Sequence, residues 1–160
     1  MPFLKTLLTS TLLATGLLGC ESEKVAPTQD YLVFGWYHGE CRGESCIDIF
    51  KLDKAAGQLY EDTTDAYPSA AAPYQGQYAL KSPAQYQQVQ QLPQRIPAQL
   101  LTQPVGIVGQ PDFADGGGYY VELLDHGQRK FWLIDTQKQN IPTYLHAFVD
   151  ELSAKIRVLQ

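Results

Sequence analysis

Short runs of apolar residues, broken by polar and turn residues, recur through the chain after Asp30. In "DYLVFGWYH" Leu32, Phe34 and Trp36 fall on one side of an extended strand, and Tyr31, Val33 and Tyr37 on the other. "SCIDIFKLD", rich in β-branched and aromatic residues, predicts a second strand. "GQLYEDT", after the turn signal Ala56-Gly57, predicts a third. These three suit an antiparallel meander. "GYYVELLDHGQRKFWLIDT" reads as a hairpin. Its strands, Tyr119 to Leu124 and Lys130 to Asp135, flank Asp125-His126-Gly127-Gln128, where Gly127 can take a positive φ.

Helical spacing replaces alternation in two places. In "SPAQYQQVQQLPQ" Ser82 suits an N-cap and Pro83 the first helical position. Tyr86, Val89 and Leu92 follow at near-helical intervals, and Pro93 stops the run. "IPAQLL" can add a short turn. In "PTYLHAFVDELSAKIRVL" the residues Leu145, Phe148, Val149, Leu152, Ile156 and Leu159 form one apolar stripe, starting from Pro142 or Thr143. "YPSAAAPYQGQY", Tyr67 to Tyr78, reads as a surface loop. The expected fold is α+β: an antiparallel sheet of about five strands, with one long C-terminal helix and a shorter helix packed on one face.

The first nineteen residues stand apart. Lys5 precedes an apolar run from Leu7 to Leu18, too short to cross a bilayer core of about 30 Å comfortably at about 1.5 Å per helical residue. "LLGC", Leu17 to Cys20, ends it. This resembles the lipobox of bacterial lipoprotein signal peptides. The resemblance implies removal of residues 1–19 and lipidation of Cys20 with acyl chains such as palmitate. "ESEKVAPTQD" follows as a polar tether, so residues 20–30 make a lipidated cysteine and linker and residues 31–160 a single domain. Each buried methylene contributes about 0.8 kcal/mol, so several chains would hold the protein firmly to lipid. Glu21 after the cysteine, in place of aspartate, implies the outer membrane, facing periplasm or surface.

Composition narrows the function classes. All seventeen acidic residues follow Cys20, so losing Lys5 moves the formal charge from −5 to −6. Such a balance argues against nucleic acid as a partner, since no basic patch displaces counterions. It also argues against the domain lying flat on anionic lipid. Membrane contact is expected through acylated Cys20.

"WYHGECRGESCID" contains the other two cysteines. Outside the cytoplasm Cys41 and Cys46 are expected to pair as a disulfide, facing each other at the end of a hairpin formed by the first two strands. The competing readings are a zinc site built from His38, Cys41 and Cys46, with Glu40 or Glu44, or with His126 or His146 as a fourth ligand, and a catalytic thiol. No second cysteine pair supports zinc, and the C-x-x-C spacing of redox sites is absent. No metal and no cofactor are expected.

"GQPDFADGGGYY" offers a candidate binding loop of Asp112, Asp115, Gly116, Gly117 and Gly118. Two carboxylates on a loop can bind a cation or act as acid and base. The plainer alternative is a turn in which both aspartates cap backbone amides. A strand, not a helix, follows the glycines, so this is no phosphate loop. No serine lies in G-x-S-x-G, and no catalytic residues are assigned.

"FGWYHGECRGESCIDIFKLD", "GQPDFADGGGYYVEL", "KFWLID" and "FVDEL" together resemble a group of small, uncharacterised bacterial envelope proteins. That resemblance implies one folded unit and no particular activity. The functional expectation is a lipid-anchored binding or scaffolding module of the cell envelope, with an envelope protein or a glycan as partner. The alternatives are a small metal-dependent or acid/base hydrolase using Asp112 and Asp115 with His38 or His126, and an inhibitor of an envelope hydrolase that presents the Cys41–Cys46 loop.

Overall fold

The computed structural model describes residues 30–39 and 45–160. Seven strands form one sheet: β1 (Tyr31–Tyr37), β2 (Ile47–Asp53), β3 (Gln58–Asp62), β4 (Tyr78–Leu80), β5 (Gly106–Val108), β6 (Gly118–Asp125) and β7 (Gln128–Asp135). Their order is β4-β3-β2-β1-β6-β7-β5. Every pairing is antiparallel except β5 with β7. The α+β class and the C-terminal helix agree with the sequence. The count of about five antiparallel strands does not: the sheet is mixed and has two more. Both additions, β4 and β5, are edge strands of three residues, too short to show an alternation.

Three helices pack on one face: α1 (Pro83–Val89), α2 (Ala98–Leu101) and α3 (His146–Leu159). Ser82 caps α1 in a reciprocal box with Gln85, and Pro83 opens it. A 3₁₀ turn over Thr143–Leu145 leads into α3. The stripe Leu145, Phe148, Val149, Leu152, Ile156 and Leu159 is wholly buried, in one core with Leu32, Phe34, Phe50, Val121 and Trp132. No helix among the described residues is long and apolar enough to cross a membrane.

The opposite face is covered as well. Val33, Tyr37, Ile49, Tyr120, Phe131 and Leu133 form a second core with Tyr74, which comes from the stretch expected to be a surface loop. Tyr74 pins that loop to the sheet. Its O–H donates to Asp62 Oδ2 at 2.6 Å, and its N–H reaches both Tyr120 Oη at 2.8 Å and Glu122 Oε2 at 3.2 Å. Arg129 Nη2 donates to its carbonyl. Glu122, with no solvent exposure, is the hub. It accepts from Tyr31 Oη at 2.9 Å, Tyr120 Oη at 2.5 Å and Arg129 Nε at 2.7 Å. A buried carboxylate is tolerable only when its acceptors are filled in this way.

The hairpin turn is tighter than the sequence suggested. β6 and β7 run on to Asp125 and Gln128, leaving His126 (φ 48°) and Gly127 (φ 78°) as a two-residue loop. Two positive φ values in sequence match the right-handed twist of the strands. In the middle of β1, Gly35 lies so close to β2 that a Cβ would collide with the Asp48 carbonyl and with Ile49.

Three outcomes follow from this packing. Gly35→Ala should lower stability by at least about 2 kcal/mol in chemical denaturation, because its obstruction is backbone and cannot swing aside. Glu122→Ala should cost about 3 kcal/mol or more by the same measurement, since it strands Arg129 and two phenols. Burial, then the charge and hydrogen bond of Glu122, push the Tyr31 phenol up to about 12; burial raises Tyr74, Tyr78 and Tyr120 as well. With the folded pKa above the unfolded value of about 10, the stability these phenols provide is complete below about pH 10. It is lost as pH rises through the folded values. Phenolate absorbance and circular dichroism should therefore change together above pH 10. Full ionisation of an intact fold near pH 10 would contradict the buried network.

Candidate functional site

β1 and β6 place Trp36 directly beside Tyr119, and β2 places Asp48 on the other side of Trp36. The three side chains form a row on the helix-side face, near the end of the sheet. The last turns of α3 cross above them. Ser153, Arg157 and Gln160 recur at i, i+4 and i+7, alongside the buried Leu152, Ile156 and Leu159. Between row and helix lies a half-open cavity of about 350 Å³, lined by Trp36, Tyr119, Ser153, Ile156, Arg157 and Gln160. That volume falls within the range of small-molecule sites, roughly 300–1,000 Å³.

The polar groups of this cavity are partly organised. Gln160 Nε2 donates to Asp48 Oδ2 at 2.6 Å, fastening the chain end across the sheet. Asp48 is 7% exposed. Arg157 Nη1 donates to Ser153 Oγ at 3.1 Å, one turn back along the helix. Among the described residues no carboxylate forms an ion pair with Arg157. The His38 ring lies tilted against Trp36 with ring centroids 5.9 Å apart, and among the described residues its buried Nδ1 has no hydrogen-bond partner. Trp36 is half-buried, whereas the other tryptophan, Trp132, is fully enclosed and donates to the Pro104 carbonyl.

The aspartate loop has a different character. Asp112 Oδ1 accepts the Gly117 N–H at 3.0 Å, and its Oδ2 accepts the Tyr67 hydroxyl at 2.8 Å. The Asp112 N–H in turn donates to the Gly117 carbonyl at 2.8 Å. The carboxylate thus closes its own loop, as in the capping alternative. Asp115 is exposed beside Gly116. Gly117 takes a φ of 68°, and a Cβ there would strike the Trp36 indole. Gly118 lies beneath the Tyr37 ring. Burial, then the hydrogen bond and charge of Asp112, raise Tyr67 to about 12. Burial raises Tyr37 further, with Tyr67 and Asp112 adding to it. The loop glycines therefore serve close packing against the Trp36–Tyr37 end of β1.

His38 precedes Gly39, where a Cβ would meet Asp112 Oδ2, so His38 lies at the Asp112 end of the sheet. Asp112 and His126 are not brought together. They occupy opposite ends of β6, roughly 25 Å apart at about 3.3 Å per residue. His126 instead meets Asp30 and Asp125, with ligand atoms within 4.8 Å of one another. Those carboxylates already serve the turn: Asp30 Oδ1 accepts the His126 N–H, and Asp125 Oδ1 lies 3.1 Å from His126 Nδ1. His146 Nε2 lies 2.9 Å from the Lys138 carbonyl, at the start of α3.

Cys46 is fully buried and disulfide-bonded. Cys41, its expected partner, and Cys20, the expected lipidation site, lie outside the described residues, as does the whole signal segment. The β1–β2 ladder ends at Tyr37–Ile47, one residue short of Cys46.

The cavity itself was not foreseen. Ser153, Arg157 and Gln160 share a helical face in the sequence, but nothing in their spacing says that Trp36 and Tyr119 lie below them. Comparison with known proteins names no relative: no family model matches the chain, and no curated protein matches it.

Proposed function

We propose that the protein is a lipid-anchored binding module of the cell envelope, and that the cavity between α3 and the Trp36–Tyr119 pair is its ligand site. The observation that carries this reading is the meeting of two aromatic side chains with Ser153, Arg157 and Gln160 around one opening. A few placed polar groups over an apolar floor are what small-molecule sites use for orientation and affinity. Asp112 is committed to its own loop, so the binding reading is preferred over the hydrolase.

The anchor rests on the leading segment, with Cys20 as the acylated residue and the outer membrane as the destination. We pair Cys41 with Cys46, consistent with the disulfide at Cys46. Intact mass of the membrane-extracted protein should show a chain starting at Cys20 with added acyl mass. Reduction should add the mass of two hydrogens. A chain that retains residues 1–19 without acyl mass would exclude the anchor.

The binding site is tested by screening a fragment library with amide and indole NMR. Hits should shift Trp36, Ser153, Arg157 and Gln160 together, and Ser153→Trp, which fills the opening, should abolish them. Shifts scattered over the surface and insensitive to Ser153→Trp would remove the cavity as the ligand site.

A further inference from the structure

We infer that the cavity takes a small saccharide bearing a carboxylate, an inference that rests on its reading as the ligand site. Trp36 and Tyr119 are cross-strand neighbours on one face and both line the cavity, so its floor is aromatic. Aromatic faces carry partial negative charge. The C–H face of a pyranose is apolar and slightly positive, so it packs on such a floor with its hydroxyls directed outward. Those hydroxyls need both donors and acceptors around the rim. Ser153 supplies a hydroxyl, and Gln160, whose Nε2 is held by Asp48, leaves its Oε1 as an acceptor.

Arg157 selects the charge. Its hydrogen bond to Ser153 uses one of five donors, and no described carboxylate pairs with it. A guanidinium fork matches a carboxylate in two parallel bonds. Arg157 is the one cation lining this cavity among the described residues, and an acidic ligand would use it. The volume of about 350 Å³ suits a mono- or disaccharide.

A peptide fits less well. Strand-like peptides bind through a free row of backbone N–H and C=O groups. Beneath the cavity β1 is paired on both sides, with β2 and with β6, so no such row is offered. Recognition there falls to rings and planar side chains.

Titration by tryptophan fluorescence tests the inference, because Trp36 lines the cavity while Trp132 is enclosed. The probes are N-acetylmuramic acid, whose carboxylate hangs on a lactyl ether, and digalacturonic acid, whose carboxylates sit on the rings. Their neutral counterparts are N-acetylglucosamine and galactobiose, and the dipeptide Glu-Phe serves as an acidic aromatic control. At least one acidic sugar should bind about tenfold or more tighter than its neutral counterpart. Which one does so identifies the carriage of the carboxylate. Arg157→Gln, a change at an exposed position, should erase that preference, and Trp36→Ala should abolish the quenching and the accompanying NMR shifts. Equal binding of acidic and neutral sugars would overturn the role of Arg157. Binding of Glu-Phe alone, or of no probe, would overturn the saccharide assignment. In that case fragment hits sensitive to Ser153→Trp would still uphold the cavity as a ligand site, so the two failures are distinguishable.

Discussion

β1 and β6 come from distant parts of the chain, yet pair residue for residue from Tyr31–Leu124 to Tyr37–Gly118. Both faces of this antiparallel ladder are buried, so its register is strongly constrained. A slip by one residue would send every side chain to the wrong face. On the helix side the register sets Trp36 beside Tyr119. On the other side it sets Val33 beside Glu122 and Gly35 beside Tyr120. The cavity and the buried polar network are therefore two consequences of one pairing.

The two faces are stabilised differently. On the helix side, burial of the α3 stripe does most of the work, at roughly 25 cal/mol per Å² of apolar surface. The polar edge of α3 is left over the end of the sheet, and the cavity opens beneath it. On the opposite side a loop replaces a helix. A loop has no internal ladder, so its backbone groups need partners from elsewhere. Asp62, Tyr120, Glu122 and Arg129 provide them around Tyr74. This explains why a fully buried carboxylate sits in the centre of a sheet.

Loops at the two ends of β6 show how local chemistry serves the same frame. At its start Asp112 closes a turn whose glycines let Trp36 and Tyr37 pack tightly. At its end Asp30 and Asp125 bracket His126 over a two-residue turn. In each place a carboxylate closes a turn: Asp112 holds the Gly117 N–H, and Asp30 holds the His126 N–H. Among the described residues no carboxylate pairs with Arg157.

The amino-acid sequence by itself determined the long elements. Two-sided spacing marked β1, β-branched and aromatic content β2, and turn residues β3, β6 and β7; the cap at Ser82 and the stripe ending at Leu159 marked α1 and α3, because all these signals are local to the element. The tertiary structure alone decided what a local signal cannot carry. β4 and β5 form because a neighbouring strand presents an open edge, not because three residues prefer extension. Tyr74 is buried because a sheet face needed covering. The cavity exists because β1, β6 and α3, remote in the chain, converge at one end of the sheet. No periodicity within any one of them encodes the distance to the other two.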